Sequence, residues 1–326
     1  MPELKDRILA AAADDLTAIE TALLENLTPH LDLVKQVAHH ILFSGGKRLR
    51  PLLMVLSARL CGYRGNYDKT FSVIFEYLHA ATLLHDDLVD GAALRRGRPA
   101  AHAVWDNATA VLVGDFLLAK GLSIAAETEN ARIIRIIADI TENMSQGEIH
   151  QLQRRGAVDL TEEEYHAIIR CKTAVLFQGA CRISAILAAA SPEEESALAA
   201  FGLHLGMAFQ MIDDLLDYTL DSNTLGKKFG ADLKEGKLTL PVIYALQRAS
   251  AEDRTTMTAI ITDPVFTKRR FIDFIALLKK YDGIDDTLKL ARQHVAAAEQ
   301  ALTVFQPSPT KSLLMDIAAY TLSRRA

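Results

Sequence analysis

Nine prolines punctuate the chain, at positions 2, 29, 51, 99, 192, 241, 264, 307 and 309, and their spacing constrains the architecture more than any other feature. Residues 100–191 and 193–240 contain none. Two long stretches therefore lack the one residue that both removes an amide donor and collides with the preceding helical turn. Both are rich in Ala, Leu, Glu, Gln and Met, which lose little on entering a helix. In ARIIRIIADITENMSQGEIHQLQ, Ile133, Ile136, Ile137, Ile140, Met144 and Ile149 recur at near-helical spacing. Alternating strand patterns with Asn-Gly or Asp-Gly turns are hard to find. The expectation is an all-α fold of about a dozen helices with little or no sheet.

Local signals agree. Pro51 falls where the first turn after GGKRLR would begin. Thr161 followed by Glu164 reads as a capping box opening one helix through TEEEYHAIIRCKTAVLF. Ser191-Pro192 before acidic residues suits the start of the next helix. Segments 62–69, 91–99, 153–160 and 221–237 are the expected loops. No repeat or linker stands out, so a single domain over 1–326 is the simplest division.

Composition excludes several classes. A chain 50% hydrophobic and 24% charged has ample core material and is not disordered. A net charge of -5 offers no basic face for nucleic acid. Cys61, Cys171 and Cys181 form no CxxC pair, which argues against a disulfide framework or structural zinc. The first residues show no cleavable signal pattern, and no uninterrupted apolar run approaches the roughly 18 residues of a bilayer span. A cytoplasmic, reduced protein with at most peripheral membrane contact is expected.

Chemistry concentrates in two acidic clusters. HDDLVD carries Asp86, Asp87 and Asp90, and QMIDDLLD carries Asp213, Asp214 and Asp217. Each follows an apolar run that should be a buried helix, so Asp86 and Asp90, like Asp213 and Asp217, share a face four residues apart. Like charges so placed repel, and more strongly where water is excluded. A single such cluster could be a solvated helix end, but two near-identical DDxxD patterns suit Mg²⁺, which takes carboxylate and phosphate oxygens.

Positive charge lies around both. Arg95, Arg96 and Arg98 follow the first cluster in a Gly-containing loop, and guanidinium forks match phosphate oxygens. Lys47, Arg48 and Arg50 follow two glycines in SGGKRLRP, which is not a Walker A loop. Lys227, Lys228, Lys234 and Lys237 share the loop after the second cluster. Each basic segment alone could be an ordinary solvated loop or cap. Lys172 in RCKTAVLF either snorkels to the surface or points into the same cavity. Gln210 precedes Asp213 by three residues, and His79 precedes Asp86 by seven, each on the metal-facing side. The sum is two carboxylate groups facing each other, bridged by Mg²⁺ and ringed by cations: a diphosphate site. Apolar helices beneath it imply a prenyl tail on that diphosphate.

GGKRLRP, LLHDDLVD followed by RRGRP, GDFLLA, KTAVLF, FQMIDDLLD and GKKFGADLKEGKLTLP occur in one order along the chain. In this combination the sequence resembles the trans-isoprenyl diphosphate synthases, the polyprenyl synthetase family. The resemblance implies one helical domain with a deep central cavity, usually in a homodimer. It implies that Asp86, Asp90 and Asp213 hold Mg²⁺, supported by Asp217 and Asp87. Arg95, Lys172, Thr173, Gln210, Lys227 and Lys237 would contact the allylic diphosphate. Lys47, Arg50, His79 and Arg96 would hold the diphosphate of isopentenyl diphosphate. Asp86, Asp90, Asp213, Lys172 and Arg95 form the implied catalytic set. AAHAVWDN follows RRGRP where many members have Thr after the Pro, a departure expected to touch loop packing rather than chemistry.

The implied reaction is ionisation of the allylic substrate, attack by the isopentenyl double bond and loss of a proton, repeated along a growing chain. The tail should descend the helix from Asp86 towards its N-terminus. Ala81 and Thr82 lie one turn, about 5.4 Å, below, and are small where short-chain members carry bulky aromatics. The tunnel would continue towards Leu78, Tyr77 and Phe75, favouring a long-chain product of the octaprenyl class over a farnesyl or geranylgeranyl one. An HD-type phosphohydrolase built on His85-Asp86, with His39 and His40, would leave the second DDxxD unexplained. A terpene cyclase would not need GGKRLRP, and a non-catalytic partner subunit would be expected to lose one cluster.

Overall fold

The computed structural model describes residues 3–65, 67–218, 230–263 and 265–324. Among them seventeen α-helices follow one another: α1 Leu4–Ala11, α2 Ala13–Asn26, α3 Asp32–Leu42, α4 Leu49–Leu60, α5 Tyr67–Val89, α6 Ala101–Val104, α7 Asn107–Ala126, α8 Ala131–Gln153, α9 Glu162–Ile169, α10 Val175–Leu187, α11 Pro192–Leu216, α12 Ala231–Lys234, α13 Leu240–Arg248, α14 Ala251–Ile261, α15 Lys268–Lys280, α16 Gly283–Ala301 and α17 Pro309–Ser323. The described strands are β1 Leu94–Arg95 and β2 Arg98–Pro99, an antiparallel pair with Leu94 opposite Pro99. The all-α expectation holds. The helix count is higher because short interruptions, such as Ala12 between α1 and α2, leave little trace in composition.

The starts follow capping chemistry. Thr161 and Glu164 close a capping box, with Glu164 N donating to Thr161 Oγ1 at 3.2 Å and Thr161 N to Glu164 Oε2 at 2.9 Å. Ser191 and Glu194 make the same exchange at 3.2 and 2.8 Å. Asp106 accepts from Thr109 N at 2.7 Å and opens α7. The loops expected at 91–99 and 153–160 are found, the former holding the two strands. Of the others, 62–69 is shortened by the start of α5 at Tyr67, and the described end of 221–237 contains α12.

The chain divides into two compact units, Met1–Thr141 with Gly179–Ala199 and Val304–Leu314, and Glu142–Gln178 with Ala200–Thr303 and Met315–Ala326. The first is organised around α5, whose residues Phe71–Leu78 are all buried and which packs on α7, α4, α2 and α3. Gly114 and Gly121 let α7 approach it. A Cβ at Gly114 would stand 2.2 Å from His85 Nε2, and one at Gly121 would touch Ile74 and Leu78 at 3.6 Å.

The core of the second unit gathers Met211, Leu215, Tyr218, Met257, Phe271, Phe274 and Leu278, and α13 packs on α16, α15 and α9. Beside this core, His204 on α11 and His294 on α16 share a hydrogen bond at 2.9 Å between their Nδ1 atoms. Burial, then His204 and His166, push His294 down to about 4 from an ordinary 6.5. Burial also lowers His204 and His166, the latter against the opposing pull of Glu162. Below pH 6.5 the unfolded chain takes up these protons before the folded one does. Stability present at pH 7 should therefore fall as pH drops from 6.5 towards 4, and the urea midpoint at pH 5 should lie below that at pH 7.

Candidate active site

In the first unit, α5 ends in a Schellman motif that sets the aspartates in its last turn. Gly91 takes φ 63°, Gly91 N donates to Leu88 O at 3.2 Å, and Ala92 N to Asp87 O at 2.8 Å. Asp90 N bonds Asp86 O at 2.8 Å, one turn apart. Three carboxylates at a helix C-terminus oppose the macrodipole, so packing alone does not account for them. Asp87, 1% exposed, turns inward and accepts from Arg95 Nε at 2.8 Å and from Arg95 Nη2, while its Oδ2 is buried without a hydrogen-bond partner. Burial works against the Arg95 charge, but Asp87, then Asp86 and Asp90, hold it firmly in place.

A cationic cluster surrounds His79 on the same helix. Burial, and then Arg50, Arg96, Arg95 and Arg48, hold His79 well below its ordinary range, so the ring is neutral at pH 7. Arg96, with φ 51°, is lowered by burial and by Arg48 and Arg95, against the pull of Glu76. A Cβ at Gly46 would lie 3.2 Å from Arg96 Nη1 and 3.4 Å from Arg48 Nη1, so the loop backbone runs close beside both guanidinium groups. Arg48 is not among the outward cations that GGKRLRP suggested. It is 5% exposed and donates to Glu76 Oε1 at 2.7 Å, Glu20 Oε1 at 2.6 Å and Leu42 O at 2.6 Å. Arg48 is thus a buried tie between α2, α5 and the loop, apart from the Lys47 and Arg50 of the same run.

Below Asp86, Ala81 is buried and Thr82 is half-buried, its Oγ1 donating to His79 O at 2.8 Å. Leu78 faces α7 at Gly121. Tyr77 takes another direction, donating its hydroxyl to Leu23 O on α2 at 2.8 Å. The histidines of the HD reading have separate partners: His85 Nε2 lies 3.1 Å from Val111 O, and His40 Nε2 lies 2.9 Å from Pro99 O. His39 lies against Phe43.

In the second unit the three aspartates at the end of α11 and just beyond it are treated differently. Asp213 is exposed and accepts from Arg324 Nη2 at 3.0 Å. Asp214 is buried and accepts from Tyr165 Oη at 2.7 Å and Gln210 Nε2 at 2.8 Å. Asp217 accepts from Ala231 N at 3.1 Å and Asp232 N at 3.2 Å, and so caps α12. Burial drives Asp214 up to about 7, with Asp213 and Asp217 adding to it. Burial and Asp214 push Asp232 well above the usual carboxylate range, and burial raises Asp217. Lys237 donates to Glu235 Oε2 at 2.7 Å and draws Asp232 back down. Lys227 lies outside the described residues.

Lys172 and Thr173 sit in a π-helical turn, Arg170–Ala174, that joins α9 to α10 where one continuous helix was expected. Lys172 does not snorkel. Its Nζ donates to Gln151 Oε1 at 2.9 Å and pairs with Glu148. Thr173 Oγ1 donates to Gln210 Oε1 at 2.8 Å, and Gln210 passes on to Asp214, so Thr173, Gln210, Asp214 and Tyr165 form one chain of hydrogen bonds. The turn lies against glycines. A Cβ at Gly147 would stand 2.8 Å from Cys171 Cβ, and one at Gly206 would stand 2.6 Å from Ala174 Cα. Bulges of this kind recur at functional sites.

The residues fit a hard divalent cation. In the first unit Asp87 Oδ2 is buried without a hydrogen-bond partner, and in the second the desolvated Asp214, Asp217 and Asp232 raise one another, so each unit by itself offers carboxylate oxygens that a hard cation would relieve. Among the described residues no three His, Cys, Asp or Glu side chains are already gathered into a metal cage. A cation held by one or two carboxylates together with phosphate oxygens needs no such cage. Sequence reasoning passes over Tyr165, Glu148, Gln151, Glu76 and Arg324, whose neighbours in the chain carry no local signal, and notes Asp232 only as a companion of the loop lysines.

Residues 31–274 match the polyprenyl synthetase family. The chain is 36% identical over 320 residues to the octaprenyl diphosphate synthase of Escherichia coli (strain K12), covering 98% of each. It is 39% identical over 323 residues to the all-trans-nonaprenyl-diphosphate synthase (geranyl-diphosphate specific) of Rhodobacter capsulatus, covering 99% of this chain and 98% of that one. Its fold matches the crystal structure of the polyprenyl synthase from Caulobacter crescentus CB15 complexed with calcium and isoprenyl diphosphate, with TM-score 0.91 and 36% identity over 98% of each chain. With likeness of this extent in sequence and in fold, the chain belongs to the polyprenyl synthetase family.

Proposed function

We propose that the chain extends an allylic prenyl diphosphate by successive head-to-tail condensation with isopentenyl diphosphate to a long all-trans product, octaprenyl class favoured. The carrying observation is the end-to-end likeness to octaprenyl and nonaprenyl diphosphate synthases, joined to small residues at Ala81 and Thr82 below the first aspartate motif. Incubation with labelled isopentenyl diphosphate, several allylic primers and Mg²⁺, followed by sizing of the extracted lipid, tests it. Release of phosphate from nucleotides without any condensation would overturn it.

The metal of this reading is Mg²⁺: Asp86 and Asp90 of the first motif and Asp213 of the second would hold the ions, with support from Asp87 and Asp217. When bound, such ions would supply positive charge to the diphosphate leaving group. Arg95, Lys172, Thr173, Gln210, Lys227 and Lys237 orient the allylic diphosphate and stabilise it as it leaves. Lys47, Arg50 and Arg96 hold the diphosphate of isopentenyl diphosphate. Neutral His79 adds a hydrogen bond without adding repulsion among those arginines. The proton lost after condensation goes to the departing diphosphate, so no side-chain base is required.

Chain length follows from the depth available beneath Asp86. Ala81→Phe should shift the product several isoprene units shorter, read by chromatography of the dephosphorylated alcohols, and an unchanged distribution would refute the length assignment. The enzyme acts as a cytoplasmic homodimer with at most peripheral membrane contact. Support for a second copy comes from α7, a mostly apolar helix that leaves Leu112 65% and Leu122 37% exposed.

A further inference from the structure

Arg324, the residue after α17, is bound in a way that its present partners do not complete. Its Nη2 donates to Asp213 Oδ1 at 3.0 Å. Its guanidinium carbon lies 3.9 Å from the centre of the Phe209 ring, one turn before Asp213 on α11. The side chain is 10% exposed, and Nε and Nη1 are buried without hydrogen-bond partners. A guanidinium offers five donors in a rigid fork, and leaving several of them dry is costly. The Phe209 face keeps the group in place by cation–π attraction whether or not Asp213 is available. This is a cation anchored on an aromatic ring, resting on one carboxylate oxygen, with donors left over for a multidentate anion.

We propose that Arg324 is a tethered counter-ion that makes cation binding at Asp213 depend on diphosphate. Without diphosphate it occupies Asp213 and competes with the divalent cation. When a metal diphosphate arrives, the carboxylate passes to the metal, and the freed fork, including Nε and Nη1, turns to diphosphate oxygens. No bond is made or broken beyond this exchange of partners. The inference rests on the reading of Asp213 as a metal ligand, and it adds a reason for the metal and the diphosphate to bind together. By linkage, whatever Arg324 takes from the cation alone it returns when both ligands are present.

Arg324→Gln separates the two effects. Titration of Mn²⁺ followed by the paramagnetic resonance of the free ion, with no diphosphate present, should show binding about five-fold tighter than in the unaltered protein. Calorimetric titration of inorganic pyrophosphate at saturating Mg²⁺ should show binding about ten-fold weaker, because a charged donor to the anion is gone. Arg324→Lys, which keeps the charge but not the fork, should fall between on both scales and guards against a folding defect in the Gln variant. Unchanged Mn²⁺ affinity, or unchanged pyrophosphate affinity, in Arg324→Gln overturns the proposal. Asp213→Asn distinguishes the two layers of the argument. If it leaves Mn²⁺ binding intact, the assignment of Asp213 as a ligand fails and takes the inference with it. If it abolishes binding while Arg324→Gln changes nothing, only the inference fails.

Discussion

Asp86→Asn is expected to lower turnover on the order of 10³-fold, the scale of losing one preorganised electrostatic group at a reacting centre. The same change should not weaken the fold. Asp86 sits in the last turn of α5, where Asp87 and Asp90 add further negative charge to the negative end of the helix. Removing one carboxylate there relieves an unfavourable dipole interaction of about 0.3–1 kcal/mol and gives up its attraction for Arg95, an opposing effect. Steady-state kinetics beside urea denaturation of the metal-free protein should thus separate the two: activity nearly abolished, stability little changed. A variant as active as the unaltered protein would remove the first motif from the mechanism, and a large loss of stability would make Asp86 structural instead.

Glu76→Ala is expected to cost about 1.5–3 kcal/mol of stability, the range for a hydrogen bond to a charged group. Glu76 is 8% exposed and Arg48 is 5% exposed, so the substitution removes the buried one of the two carboxylates that hold this guanidinium. Glu20, 41% exposed, still accepts from Arg48 Nε and Nη2, which keeps the loss below that of a wholly unpaired buried charge. Urea titration measures the loss. Replacing both Arg48 and Glu76 by apolar residues of similar volume should recover part of it, since a buried charge is then no longer left short of a partner.

What could be read from the sequence divides by range. The capping boxes at Thr161 and Ser191 were legible because both partners lie within one turn. The two aspartate clusters were legible because a helix fixes the face that Asp86 and Asp90 share. The inward turn of Arg48 was not, since Glu20 and Glu76 each lie 28 positions away and nothing near GGKRLRP distinguishes Arg48 from Arg50. Tyr77 likewise reads as one of a run of apolar residues, and only the carbonyl of Leu23 on α2 decides where it points. The separate fates of Asp213, Asp214 and Asp217 depend on Arg324, Tyr165 and the amides of α12, which a local window does not contain.

The π-helical turn at Arg170–Ala174 has a consequence for how the protein can change. Such a turn accommodates one residue more than the α-helical path, and each residue of an α-helix advances the azimuth by about 100°. Deleting a single position there would let α9 run straight into α10 with the helix beyond keeping its facing, yet would move the residues of the turn itself by one place and carry Thr173 away from Gln210. The segment therefore absorbs one residue of length locally, so that its loss would be felt by the hydrogen-bond chain at Thr173 before it was felt by the helices on either side.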